Sequence, residues 1–223
     1  NPSLYAKLAY DPDKDFAPVS GLITISQALV LHPSVPVKSI ADLVALAKTK
    51  PMTYASLGVG SGPHLSMALL QSMTGLKIEP VQYRGAGPAM ADIIAGHVPM
   101  MFVAAGLVAE PWKAGKLNTL GIGSAARLPA LPDLPAIEET LPGFRASVWF
   151  GMFAPGGTPR ETVAKLNGSI QKIMAEPAFA NRFLAPSFFE PIPGTPEIFV
   201  AKIKADAARW SKVIKDARLA IKQ

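Results

Sequence analysis

Apolar and β-branched residues crowd together in "FAPVSGLITISQALVLHP" (16–33) until Pro33 interrupts them, a pattern that predicts one long strand. The period then changes. In "KSIADLVALAKTK" (38–50), Ile40, Leu43, Val44 and Ala47 fall on one helical face, with Ser39 at the N-cap and Pro51 as the stop. Strand and helix signals keep alternating: strand 52–57, a glycine turn leading into a helix that Gly75 caps, strand 78–83, helix 87–96, then strands 98–104 and 117–124. Short loops between such elements predict an α/β domain with parallel strands and right-handed crossovers.

From Arg127 the pattern breaks, because "RLPALPDLPAIEETLPGF" holds too many prolines for a helix or a central strand. A second extended run, "RASVWFGMFAP" (145–155), follows, and its Trp149, Phe150 and Phe153 read as core or hinge packing. Two helices close the chain. Thr158-Pro159-Arg160-Glu161 reads as a capping box before helix 160–175, and Thr195-Pro196-Glu197 as the cap of helix 197–217. Leu166, Ile170 and Ile173 are expected inward on the first, and Phe199, Ile203, Trp210 and Ile214 on the second. The runs 16–31 and 145–153 bracket the α/β middle, as they would in a two-lobed protein whose chain crosses into one lobe and later returns.

Composition narrows the function classes. With 49% hydrophobic and 17% charged residues, this 223-residue chain has the material for real cores and no resemblance to a disordered one. No apolar run approaches the length of a membrane span. The net charge of +6 favours anions in general. Nucleic acid is not expected, since Lys7, Lys48, Lys77, Arg127, Lys165 and Lys202 are scattered singly and read as solvated surface. The absence of cysteine removes disulfides, thiolate metal sites and thiol nucleophiles. Three separated histidines, and an Asp11/Asp13/Asp15 cluster without the glycine and glutamate of an EF-hand, give no metal site. The opening "NPSLYAKLAYDPDKDF" is polar and turn-rich, carries no signal peptide, and reads like the interior of a longer protein.

The remaining chemistry gathers at two glycine turns. "GVGSGPH" (58–64) lacks the Gly-Lys-Ser/Thr of a P-loop, the third glycine of a dinucleotide fingerprint, and the flanking glycines of a nucleophile elbow. It fits a simpler role: free backbone N–H groups and the positive end of a helix dipole aimed at a carboxylate, with the Ser56 and Ser61 hydroxyls nearby. Equally, Gly60 and Gly62 can merely shape the turn while Ser61 caps the helix. "QYRGAGPAM" (82–90) repeats the arrangement, with Arg84 forking onto a carboxylate, capping a surface or pairing with Asp92. An enzyme using Ser61 and His64 is the catalytic alternative, although no orienting acid is evident.

Taken in order, "YASLGVGSGPHLSMALLQSMTG", "VQYRGAGPAMADIIAGHVPMMF", "RLPALPDLPAIEE" and "WFGMFAPGGTPRETVAKLN" resemble the Bug family, the extracytoplasmic solute-binding proteins of tripartite tricarboxylate transporters. The resemblance covers nearly the whole chain. It implies a type II periplasmic-binding-protein fold, two α/β lobes joined by two crossing strands and closing on a ligand. The parts would be 1–22 (lobe 1 and first crossing), 23–144 (lobe 2) and 145–223 (second crossing and the rest of lobe 1). It also implies a monomeric, periplasmic, non-catalytic protein without cofactor or metal, whose partners are a small carboxylate and the membrane subunits of a transporter; a ligand-sensing role shares the same site. Ser56, Gly58, Gly60, Ser61 and His64 match the family's second-lobe binding turn, and Tyr83, Arg84 and Gly85 its neighbouring loop. The family's usual opening strand and glycine-rich loop have no counterpart here, which implies a first lobe lacking its N-terminal segment. Pro99 also stands where an acid is usual.

Overall fold

The computed structural model describes residues 1–219, so residues 220–223 of the segment 145–223 lie outside the described residues. The chain forms two compact units, residues 26–147 and residues 1–25 with 148–223. One strand serves both: β1 (Phe16–Leu31).

In unit 26–147, α1 (Ile40–Thr49) starts where Ser39 Oγ accepts the Asp42 N–H at 3.1 Å. β2 (Thr53–Ser56), α2 (Gly62–Thr74), β3 (Glu79–Gln82), α3 (Ala86–Ile94), β4 (Met100–Ala104), the short α4 (Ala109–Lys113) and β5 (Asn118–Ile122) follow. α2 ends on Gly75, which takes the left-handed C-cap conformation. β2 and β3 pair in parallel, Thr53 with Glu79 through Ser56 with Gln82. The expectation of parallel strands is corrected for the rest: β1 runs antiparallel to both β4 and β5, with Leu29 opposite Phe102 and Gly121. A long first strand that re-enters the sheet between later ones reverses direction in a way that its own residues do not announce. The core lies on the α1/α2 side, where Leu29, Leu31, Tyr54, Met67, Leu70, Phe102 and Phe144 are buried together.

The proline-rich segment is closed by a fork. Arg127 Nε and Nη2 donate to the two carboxylate oxygens of Glu139, both at 2.8 Å, and the Ala136 N–H also donates to Glu139. Arg127 is therefore engaged, not simply solvated, and with the Ala136 N–H it holds the Glu139 carboxyl down at about 2.

In the other unit, β6 (Ser147–Pro155), α5 (Arg160–Met174), α6 (Pro177–Phe179), β7 (Phe189–Pro191) and α7 (Pro196–Asp216) come after the crossing. The N-terminal part of β1 pairs with β6, and antiparallel with β7, Thr24 opposite Glu190. Phe199 is buried on α7, with Trp149 packed edge-on at 5.2 Å and Phe153 tilted against it at 5.4 Å. Phe150 does not join this packing: it is 56% exposed, on the outward side of β6.

Two further expectations are corrected here. Pro159, not Thr158, is the N-cap of α5, and no side chain caps it. Leu166 and Ile173 are 40% and 47% exposed. α5 docks instead through amides one turn apart: Asn167 Nδ2 donates to the carbonyls of Val19 (3.0 Å) and Gly194 (3.2 Å), while Gln171 Nε2 donates to Ser20 Oγ (2.8 Å) and its Oε1 accepts the Gly194 N–H (3.1 Å). Buried polar backbone needs partners, and these two side chains supply them.

Candidate functional site

The two parallel strands β2 and β3 set the site. Their pairing continues one residue past β3, where the Tyr83 N–H donates to the Ser56 carbonyl at 2.8 Å, so the 57–61 and 83–85 turns leave the sheet side by side. Ligands of open α/β sheets collect at this carboxyl end of the strands.

Gly58 and Gly60 hold φ of 108° and 80°, left-handed values that glycine adopts without the penalty a Cβ brings. The turn folds back on itself: the Ser61 N–H donates to the Gly58 carbonyl at 3.1 Å, and Ser61 Oγ accepts the His64 N–H at 3.4 Å. The Gly60 N–H donates to His64 Nδ1 at 3.0 Å. Nδ1 therefore carries no proton and Nε2 does. The ring stacks on Tyr54, centroids 6.4 Å apart and planes 15° apart.

Several amides expected to face a ligand are thus used inside the turn. What stays open, among the described residues, is the Gly62 N–H, the His64 Nε2–H, and the dipole of a 13-residue helix whose next residue, Pro63, has no N–H to offer. The neighbouring turn adds more. Gly85 caps α3 without a side chain, leaving the Ala86 and Gly87 N–H groups unpartnered beside it.

Arg84 is exposed and makes no hydrogen bond or ion pair among the described residues. Its alternative partner is taken. Asp92 accepts the Tyr83 hydroxyl at 2.7 Å and lies 3.3 Å from His97 Nδ1, contacts that pull the Asp92 carboxyl below its usual range. Desolvation, then Asp92, pushes the Tyr83 phenol up to about 12. The Tyr83 hydroxyl is thus turned to α3, and its N–H is spent on the Ser56 carbonyl. The Asp92 anchor escaped sequence reading, because a tyrosine nine residues upstream on a strand leaves no periodic signal.

Burial lowers the His64 pKa below its ordinary 6.5, since the ring is only 4% exposed. The sign follows from proton counts: between the depressed folded value and 6.5 the unfolded chain binds more protons, so stability rises with pH through that window and levels off above it. Melting temperatures taken from about pH 5 to about pH 8 are expected to show this slope in the wild type and to lose it in His64→Gln. Equal slopes in both proteins would mean the ring is not desolvated as described.

Ser61 Oγ is an acceptor for backbone, no acid orients His64, and no cluster of metal-ligating side chains occurs among the described residues. The family model described as the tripartite tricarboxylate transporter family receptor matches residues 1–219. The chain belongs to this receptor family.

Receptors of this family are solute-binding proteins, not enzymes. Among curated relatives, a UPF0065 protein from the tcbD-tcbE intergenic region of Pseudomonas sp. (strain P51) is 35% identical over 219 residues. That match covers 96% of this chain but 65% of the relative, so the chain spans about two thirds of the relative's length. Of solved structures, Rpa4515 of R. palustris with adipate superimposes with a TM-score of 0.87 at 33% identity, covering 97% of this chain and 73% of that one. The periplasmic binding protein BugD gives 0.86 at 29% identity, covering 98% and 75%. The fold is accordingly that of a periplasmic binding protein. No helix among the described residues is long and apolar enough to cross a membrane.

Proposed function

We propose that this chain is a periplasmic solute-binding protein that captures a small organic acid, a di- or tricarboxylate, amino acid or aromatic carboxylate, and delivers it to the membrane subunits of a tripartite tricarboxylate transporter. The observation that carries the reading is the convergence of an unpaired, exposed Arg84 with two helix N-termini at the ends of β2 and β3. Each supplies positive charge or N–H donors, and none is consumed by a neighbouring carboxylate. An adipate-bound neighbour at 33% identity supports the ligand class.

We read the unit of residues 1–25 and 148–223 as completed by further chain of the kind the longer relatives carry. Support comes from the exposed Phe150 and Met152 on one side of β6, and Leu166 and Ile173 on α5, apolar surface that a folded unit normally covers.

A thermal-shift panel tests the function: succinate, adipate, citrate, L-malate, L-glutamate and nicotinate. A true ligand at 100 times its Kd stabilises the fold by about 2.7 kcal/mol. At about 2–4 °C per kcal/mol for a chain of this size, the melting temperature is expected to rise by roughly 5–10 °C. Silence across the panel would count against capture of an organic acid by this chain.

A further inference from the structure

Two buried polar atoms beside the candidate seat have no partner. Gln27 is 3% exposed and its Oε1 accepts nothing; Ser56 is fully buried and its Oγ makes no hydrogen bond. Native proteins rarely leave such atoms unsatisfied, and each one costs desolvation energy unless something meets it. The backbone of Gln27 is fully used, its N–H donating to Ala146 and its carbonyl accepting from Gly123, so only the side chain waits.

Strand alternation places both atoms on one face. Gln27 shares a face of β1 with Leu29 and Leu31, and pairs in register with Ala104 as those two pair with Phe102 and Met100. On β2, Ser56 shares its face with Tyr54. Leu29, Leu31, Phe102, Met100 and Tyr54 belong to the cluster that also holds Met67 and Leu70 of α2. Gln27 and Ser56 therefore look toward α2, one pleat beyond the apolar cluster, at the end where α2 begins. His64, stacked on Tyr54, stands over the same end. Ala104 on β4, in register with Gln27, is a methyl side chain that is only partly buried. β4 pairs with β1 and packs against β2, so it lies next to both strands that carry these atoms.

Of the two, the Gln27 amide oxygen differs in kind from the rest of the seat, while the Ser56 hydroxyl accepts as well as donates. Arg84 and the helix N-termini attract negative charge, whereas an amide oxygen accepts only and repels a carboxylate oxygen. We propose that Gln27 Oε1, with Ser56 Oγ, forms a second subsite that reads a hydrogen-bond donor on the ligand, so that this chain selects a hydroxy- or amino-carboxylate over the same acid lacking that group. The subsite deepens, and rests on, the carboxylate-binding reading given above. A site built to pair a ligand hydroxyl discriminates strongly against the analogue without it, because its own polar groups are then left bare.

Calorimetric titration of the full chain with matched pairs tests this: L-malate, L-aspartate and succinate, then 2-hydroxyglutarate, L-glutamate and glutarate. In at least one set the donor-bearing acid is expected to bind about tenfold or more tightly than the plain diacid. In Gln27→Leu the ratio is expected to fall to about one while the plain diacid keeps its affinity, a change in selectivity that a purely structural role would not produce. Gln27→Met, which keeps the length without the amide, is read the same way should Gln27→Leu fail to fold. Equal binding of both acids by the wild type, or an unchanged ratio in the variant, overturns the subsite and leaves the carboxylate seat standing. Binding of none of the six acids overturns the subsite, while the seat itself is decided by the wider thermal-shift panel with adipate, citrate and nicotinate.

Discussion

Replacing Phe144 by alanine is expected to destabilise the unit of residues 26–147 by about 3–5 kcal/mol. Phe144 is fully buried and stacks on Phe102 with centroids 5.9 Å apart and planes 23° apart, inside the cluster shared by β1, α1 and α2. Truncation removes a large apolar surface and leaves a cavity that a close-packed core fills only in part. Phe144 also ends the proline-rich segment, its N–H donating to the Leu141 carbonyl at 3.0 Å, so its ring anchors a stretch with little regular structure. Urea unfolding should show a lower midpoint with an unchanged m-value. Calorimetry should show a melting temperature lower by roughly 6–20 °C, at about 2–4 °C per kcal/mol. Phe150→Ala is the control: that ring is exposed, and its loss should stay within about 0.5 kcal/mol. A Phe144→Ala protein as stable as the control would mean that the cluster is not the core of this unit.

Arg84→Ala is expected to weaken ligand binding by roughly 10- to 150-fold, which corresponds to the loss of hydrogen bonds to a charged group, about 1.5–3 kcal/mol. The ligand-free protein should melt at an unchanged temperature. Arg84 touches no partner among the described residues, so its removal strands nothing. The two readings together separate a binding residue from a structural one. Arg84→Lys keeps the charge without the planar fork and should fall between wild type and alanine. Because the side chain is exposed, added salt should narrow the gap between wild type and Arg84→Ala, screening acting over about 8–10 Å at physiological strength. Titration with whichever acid the thermal-shift panel selects measures all three proteins. Unchanged affinity in Arg84→Ala would remove the arginine from the seat and leave the helix N-termini alone to hold the anion.

Much of the candidate site could be read from residue order because it is local. Ser39, Ser61 and Gly75 act on backbone groups within four residues of themselves, and the structure shows each doing so. The glycines of the 58–62 turn follow from the same short-range logic. The inner wiring of that turn did not. That Gly60 spends its N–H on His64 Nδ1 depends on which way one ring rotates over Tyr54, a choice made by packing. Pairing of Arg84 with Asp92 was one of the readings the sequence left open; in the structure Asp92 is engaged by Tyr83 and His97 instead.

The helix α5 shows the limit most clearly. Its apolar period over Leu166, Ile170 and Ile173 is real, yet the helix turns Asn167 and Gln171 inward, toward backbone that lies far away along the chain. By itself, then, the sequence determined the alternation of most strands and helices and the caps at Ser39, Ser61 and Gly75, which follow from neighbours a few residues apart, while its ordered motifs carried the family resemblance. The tertiary structure alone decided that β1 runs antiparallel to β4 and β5, that Arg127 closes on Glu139, that α5 docks by amides, and that Gln27 Oε1 and Ser56 Oγ are buried without a partner. Those outcomes depend on which distant segments meet, and no local pattern records how a polar group finds a partner, or fails to, across the fold.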